Sequence, residues 1–303
     1  MESSQFDEKE FIPNPKYIYK FIPVYAQDLA IEVKDGKTND GANIQLGESK
    51  NVPHQFFRII PVEKSKYYLE PQHCNNKVVE IDKGKMKIRT NIQLKEKKNK
   101  NEQFFKIIKL GIENNYSILS CIDENFCLDV QGKGKKKGSN IQLYNRNRTM
   151  AQIFNLVEKR NLYCSIEYAL KYSTERNKEF NIFNPNCANF CSQCLFAGGV
   201  ETDQIWNKDT EAFSDPTKLR QYFFDKGIEW TEFPSYNDIN PGDIGYMQNS
   251  ENKFDHPIFV IRKNNSQIIF CGNSIDIREG SLNYSLIGAV LKTSTLFSKD
   301  INY

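Results

Sequence analysis

Histidine is scarce in this chain: three residues among 303, at positions 54, 73 and 256. Few side chains are therefore available as a base of near-neutral pKa. Long apolar runs are missing too, and no stretch approaches the roughly 18 uninterrupted apolar residues of a membrane-spanning helix, so no membrane span is expected. The first residues, Met1-Glu2-Ser3-Ser4-Gln5-Phe6-Asp7-Glu8, lack the basic start and apolar run of a secretory signal. The expected localisation is cytoplasmic by default, with export by another route or a trimmed signal left open. Eight cysteines are too few for a disulfide scaffold in a chain of this length, and reduced thiols are expected.

The length suits two hydrophobic cores of ordinary size, and the charge divides along the chain. Residues 17–160 hold 26 Lys/Arg against 16 Asp/Glu, whereas residues 161–303 hold 13 against 18. Lysines crowd into 83–100 and into Lys133–Lys137, where Gly-Lys-Gly-Lys-Lys-Lys-Gly reads as an exposed loop tip able to meet an anionic surface. These clusters lack the interleaved aromatics of nucleic-acid modules, so no nucleic-acid partner is expected.

The first half repeats itself three times. Asn-Ile-Gln-Leu occurs at Asn43–Leu46, Asn91–Leu94 and Asn140–Leu143, spaced by 48 and 49 residues. Each copy is followed in phase by Gln-x-Phe (Gln55/Phe57, Gln103/Phe105, Gln152/Phe154) and preceded by an acid between apolar residues (Glu32, Glu80, Asp129). Short alternating runs separated by Gly, Asn, Asp and Lys predict strands and turns. One such unit cannot bury its apolar face alone, so three must close on one another, with the recurring phenylalanines at the shared core.

On these markers the half resembles the β-trefoils of the ricin B-type lectin family, with Phe standing for the Trp of the family's Gln-x-Trp. The fold class expected is an all-β β-trefoil over residues 17–160, after an N-terminal extension 1–16, followed by an α+β domain over 161–303. The resemblance implies carbohydrate binding where a strand acid, a supporting Gln and an aromatic platform coincide. Only the third repeat offers all three, as Asp129, Gln142 and Tyr144; the others carry Gly47 and Lys95 at the platform and Glu for Asp. Ala151 takes the place of a usual Asn. A working glycan site, anionic ligands included, and a structural remnant both stay open, because glutamines recurring in all three repeats also suit the bracing of buried groups.

The second half carries the chemistry. Ile166, Ala169, Leu170 and Ser173 predict a helix to about Arg176. The Asn-rich, Pro-containing loop 177–186 follows, and Asn186 then suits the N-cap of a helix through Cys187, Phe190, Cys191, Cys194 and Leu195, closed by Gly198-Gly199. Cys187 would lie in its first turn, where unpaired N–H groups favour thiolate. Cys191 and Cys194 suit packing. His256 is the one histidine outside the repeats, at the mouth of the apolar run Pro257–Ile261 behind the Pro241-Gly242-Asp243 turn. A three-cysteine, one-histidine metal centre is disfavoured, since positions i, i+4 and i+7 spread about 10 Å along a helix and one zinc ion accepts sulfur at about 2.3 Å. No cofactor or metal is expected.

Asn-Cys-Ala-Asn-Phe-Cys-Ser-Gln-Cys-Leu-Phe-Ala-Gly-Gly at 186–199 resembles the signature of amidase domains related to the papain-like cell-wall hydrolases, Asp-Cys-Thr-Asn-Phe-x-Ser-Gln-Cys-x-x-Ala-Gly-Gly. Trp206, the Pro-Gly-Asp turn and the His-led strand follow in family order. The resemblance implies a cysteine amidase or peptidase cleaving a peptide or simple amide, with Cys187 as nucleophile and His256 as base. For the residue that orients the imidazole, Asn273 is the first candidate and Asp276 the second; Asn181 and Asn184 are candidates for an oxyanion donor. The competing reading is a catalytically inactive, lectin-like protein in which the trefoil does all the work.

Overall fold

The computed structural model describes residues 7–301 apart from positions 112, 250, 252, 275 and 299. They divide into two compact units, the first running to Glu158 and including Ile301, the second Lys159–Asp300.

The first unit is built from three four-stranded repeats. These are β2 (Tyr17–Pro23), β3 (Leu29–Val33), β4 (Ile44–Glu48) and β5 (Phe57–Glu63); β6 (Lys66–Pro71), β7 (Lys77–Ile81), β8 (Thr90–Glu96) and β9 (Phe105–Leu110); and β10 (Tyr116–Ser120), β11 (Phe126–Val130), β12 (Ile141–Asn145) and β13 (Phe154–Arg160). The outer strands of each repeat form a closed ring, β2-β5-β6-β9-β10-β13 and back to β2. The inner strands form three antiparallel hairpins of identical register, with Glu32 opposite Gln45, Glu80 opposite Gln93 and Asp129 opposite Gln142. A six-stranded ring with three hairpins is a β-trefoil. A further strand, β1 (Glu8–Glu10), pairs with β9, so part of the segment read as an extension belongs to this unit.

Phe57, Phe105 and Phe154 are buried together with Leu46, Leu94 and Leu143 in one core. Alternation along the strands does this: Ile31/Val33, Val79/Ile81 and Leu128/Val130 all enter that core, which turns the acid between each pair to the other side. The asparagines of the repeated tetrapeptide form a closed cycle. Asn43 donates to Asn140 (2.9 Å), Asn140 to Asn91 (3.0 Å) and Asn91 to Asn43 (3.0 Å). Each amide donates once and accepts once, so the threefold junction is satisfied only when all three repeats carry Asn. Backbone bonds close the same cycle, from Leu94 to Ala42, Arg89 to Leu143 and Leu46 to Ser139.

The second unit is a layer of helices on one antiparallel sheet. Its helices are α1 (Leu162–Tyr172), α2 (Cys187–Ala197), α3 (Glu211–Ser214), α4 (Pro216–Asp225) and α5 (Thr295–Ser298). Its strands are β14 (Trp230–Glu232), β15 (Ile244–Gln248), β16 (Phe254–Asn264), β17 (Gln267–Gly272), β18 (Ile277–Asn283) and β19 (Ile287–Leu291), in the order β14-β19-β15-β16-β17-β18. Alternation again sorts the faces: Phe259, Ile261, Ile269 and Cys271 pack with the helices, while Ile258, Val260, Ile268 and Phe270 form a second core on the opposite face. Helix α2 is the buried centre, with Phe190, Cys191, Cys194 and Leu195 at most 1 % exposed. It packs on β16 and β17.

Two glycines of the 186–199 segment have separate reasons. A Cβ at Gly198 would meet the Ser165 hydroxyl of α1 at 2.0 Å, so α1 and α2 approach this closely only over glycine; Gly199 has φ +91°. Trp206, fully buried, donates from its indole to Ser192 on α2 (3.1 Å). Helix α1 stops at Tyr172, short of the expected Arg176. Carbonyls of its last turn and just beyond are taken by the Asn273 side chain, which satisfies them without further helix.

Candidate functional site

Cys187 occupies the first position of α2 and is 1 % exposed. The N-cap residue is Asn186, as its position suggests, but its side chain makes no capping bond. It turns back instead: Asn186 Oδ1 accepts from the Phe183 N–H (3.2 Å) and from Asn189 Nδ2 (2.9 Å), and Asn186 Nδ2 donates to Asn273 Oδ1. The first turn of α2 is thereby left free of a side-chain cap. The Ser274 hydroxyl and the backbone N–H groups of Ala188 and Cys187 act on the Cys187 pKa in favour of thiolate. Burial acts the other way and is the larger effect, so the thiol sits above its ordinary value of 9.0, with the Asp255 carboxylate adding to the rise. The helix N-terminus thus activates this sulfur less than its position in sequence suggests.

His256 lies in β16, half-buried and opposite Met247, just after a bulge at Asp255. Burial holds its pKa below 6.5, and the neighbouring Asp255 charge offsets part of that. Asp255 therefore bears on both groups: its field penalises the thiolate and favours the imidazolium. No hydrogen bond joins Cys187 to His256 among the described residues. At neutral pH the two groups are a thiol and a neutral imidazole.

The two candidates for orienting that imidazole have other partners. Asn273, 2 % exposed, donates to the carbonyls of Tyr172, Ser173 (3.2 Å) and Glu175 (3.3 Å) and accepts from Asn186. It joins the end of α1 to the start of α2. Asp276 accepts from Arg176 (2.7 Å) on the surface. Of the oxyanion candidates, Asn181 is held through its backbone carbonyl by Asn189 (2.9 Å). Ser274, which no spacing in the sequence marks, accepts from the Asn186 backbone N–H (3.2 Å) just before Cys187; only its place next to Asn273 could have pointed to it.

In the trefoil each strand acid is held by two glutamines. Asp129 accepts from Gln142 (2.9 Å) and Gln152 (3.2 Å), Glu32 from Gln45 (3.2 Å) and Gln55 (3.0 Å), and Glu80 from Gln93 (3.4 Å) and Gln103 (2.8 Å). Gln55, Gln103 and Gln152 also brace their loops, donating to the carbonyls of Glu48, Glu96 and Asn145. In all three repeats the acid and the glutamine of the Gln-x-Phe motif thus brace the hairpin. The repeats differ where the platform would stand. Glu32, longer than Asp by one methylene, lays its carboxylate over Gly47, and a Cβ there would meet it at 1.8 Å. Lys95 is tied to Asp40 (3.4 Å). In the third repeat the shorter Asp129 leaves Tyr144 half-exposed, two residues from Gln142 on the same face. Gln142 Oε1 is buried and unpartnered among the described residues. Burial raises the Asp129 pKa, against the two glutamine hydrogen bonds.

Comparison with known proteins finds likenesses to each half. The chain is 25 % identical over 143 residues to the uncharacterised protein YhbB of Bacillus subtilis, covering 43 % of this chain and 46 % of that one, so less than half of that relative is spanned. The designed threefold-symmetric protein ThreeFoil superposes on 46 % of this chain and 96 % of its own (TM-score 0.43, 20 % identity). The Polyporus squamosus lectin, solved bound to a sialylated influenza-binding epitope, superposes on 88 % and 94 % (TM-score 0.44, 13 % identity). Residues 159–288, nearly the whole helix-and-sheet unit, match the family model described as "Putative amidase domain".

Proposed function

We propose that the second unit is a papain-like cysteine hydrolase that cleaves an amide bond, and that the trefoil binds a glycan and so localises it. The observation that carries the proposal is a cysteine at the first position of a buried helix whose N-cap side chain makes no capping bond, within a segment that matches an amidase family. That helix packs on the strand bearing His256. Catalytic hydrogen bonds often tighten only when substrate is bound, and the pair is proposed to meet in that complex.

In the reaction, neutral His256 takes the Cys187 thiol proton as the sulfur attacks the amide carbonyl. The backbone N–H of Cys187 stabilises the oxyanion. The imidazolium then passes its proton to the departing amine, leaving a thioester; water, deprotonated by His256, releases the acid and restores the thiol. No metal or cofactor takes part.

A pH profile tests this. With His256 depressed below 6.5 and Cys187 raised above 9.0, kcat/KM should be bell-shaped, rising through a midpoint below pH 6.5 and falling above about pH 9. The substrates are a panel of muropeptides, peptides and simple amides. A protonated imidazole cannot accept the thiol proton, so the acid limb belongs to His256, and an acid midpoint well above 6.5 would refute the neutral pair. The same depression ties stability to pH. The neutral ring is favoured on folding, so His256 contributes its full share above pH 6.5 and loses it as pH falls through the lower folded value.

For the trefoil, the third repeat supports a glycan site: Tyr144 is half-exposed and offers a ring face, on the same hairpin as Asp129 and Gln142. The Lys133–Lys137 tip lies on the same β11–β12 hairpin, which favours anionic glycans. Tyr144→Ala should weaken binding on a glycan array by roughly fivefold or more, since stacking contributes on the order of 1 kcal/mol or more. Lys95→Ala should leave it unchanged. Equal binding by the Tyr144 variant would reduce the trefoil to a scaffold.

A further inference from the structure

We propose that a cavity at the far end of α2 binds an apolar α-amino acid, either free or as the first residue of a peptide. Its large side chain would lie among three phenylalanines and its ammonium group at an acidic rim. The proposal goes beyond the hydrolase reading and does not need Cys187 to be a nucleophile.

The cavity holds about 570 Å³ and is lined by Phe180 of the loop before α2, Phe196 of α2 and Phe213 of α3, with Glu179, Lys208 and Asp209 in its polar lining. That volume falls within the range of small-molecule sites. Phe180 stacks on Phe213, centroids 5.9 Å apart and planes 9° from parallel, and meets Phe196 edge-on at 6.1 Å. Phe213, 1 % exposed, is backed by the buried Trp206 at 5.1 Å. Phe180 and Phe196 are only half-buried, so aromatic surface is held against an opening where burial by a ligand is favourable.

Hydrogen bonds keep the walls apart. Asn177 fastens the loop: its Nδ2 donates to the Tyr168 hydroxyl (3.0 Å), its Oδ1 accepts from the Glu179 N–H (3.0 Å) and its carbonyl accepts from the Phe180 N–H (3.2 Å). Asn189 of α2 holds the next carbonyl, that of Asn181, at 2.9 Å. In the other wall Asn207 Nδ2 donates to the Asp203 carbonyl (2.9 Å) and its Oδ1 accepts from the Asp209 N–H (3.1 Å), which fixes the turn carrying Lys208 and Asp209. A site braced in this way is preorganised.

The rim decides the ligand. Glu179, Lys208 and Asp209 are exposed, and none of them is in an ion pair among the described residues. Two carboxylates and one ammonium beside an aromatic floor complement a zwitterion with an apolar side chain: its ammonium meets the acids, and its carboxylate, where free, meets Lys208. The site is separate from Cys187. Phe196 follows that residue by nine positions, two and a half turns, which places it about 13 Å along α2 and on the opposite side of the helix.

Isothermal titration of the full-length protein with ligands that hold no amide bond, and so cannot be hydrolysed, tests this. L-Phenylalanine should bind saturably with a Kd of about 0.1–1 mM, and L-serine at least about tenfold more weakly. Phenethylamine, with the ammonium and no carboxylate, should bind at least about fivefold more tightly than hydrocinnamic acid, which has the reverse. Phenethylamine matching phenylalanine, with Lys208→Ala silent, assigns the site to a peptide amino terminus. Phenylalanine binding more tightly, and losing that advantage in Lys208→Ala, assigns it to the free amino acid. Phe180→Ala should weaken phenylalanine about tenfold. The isosteric double change Glu179→Gln with Asp209→Asn, at exposed positions, should weaken it about fivefold and leave urea denaturation unchanged. Absence of saturable binding by phenylalanine and phenethylamine up to about 10 mM overturns the proposal. So does binding unaltered in both variants, or hydrocinnamic acid bound as well as phenethylamine.

Discussion

Cys187→Ala should abolish amide hydrolysis, lowering kcat by roughly 10⁴- to 10⁶-fold, the scale on which loss of an acyl-accepting nucleophile is felt. The methyl group keeps the first turn of α2 and the backbone N–H groups that face it, so no covalent intermediate forms although the oxyanion donor survives. The fold should be nearly unaffected. Only one sulfur leaves the buried start of α2, for a cost of about 1–2 kcal/mol, and glycan binding by the separate trefoil unit should match wild type. Turnover is measured on the amide panel and folding by chemical denaturation. Cys187→Ala protein that hydrolyses the same amide at the wild-type rate would contradict the mechanism outright.

The second large effect is expected at Asn273. As an imidazole-orienting residue its loss would cost activity and leave stability alone; as the clamp seen here its loss should cost both. Asn273→Ala deprives the carbonyls of Tyr172, Ser173 and Glu175 of their donor and leaves the Asn186 amide unpaired in a buried setting. Buried groups left without partners cost about 1–3 kcal/mol each, less where water enters, so roughly 3 kcal/mol of destabilisation is expected by urea denaturation. Because Asn186 directly precedes Cys187, activity should fall as well. An Asn273→Ala protein as stable as wild type but inactive would return Asn273 to the orienting role.

The repeats were legible from sequence because threefold phasing needs no knowledge of contacts: the Asn-Ile-Gln-Leu and Gln-x-Phe markers fix the strands, their spacing and the shared core. The reason for the repeated Asn was not legible, since a cycle of three amides exists only when residues 43, 91 and 140 meet. Exclusion of the first repeat as a sugar site was half legible. Gly47 marks a missing platform, but the Glu32 carboxylate lying over it is a matter of side-chain reach.

At the candidate active site, helix-start logic placed Cys187 and strand logic placed His256. Neither could weigh burial against the helix field, and burial prevails at both groups. Asn186 reads as a cap because Asn suits that position, yet it is drawn away by Asn273, a partner 87 residues on. Ser274 could not be found by motif at all, for its bond to the Asn186 N–H joins residues 88 positions apart.

The central claim is that the Cys187 sulfur and the His256 ring act together, and a crystal structure of the full chain with Cys187 alkylated by a substrate-like peptidyl electrophile tests it most directly. The account predicts a covalent bond at Cys187 with a His256 ring nitrogen within about 4 Å of the sulfur or of the adduct's carbonyl-derived oxygen. An adduct formed at Cys187 with the imidazole still directed away from it would contradict the claim.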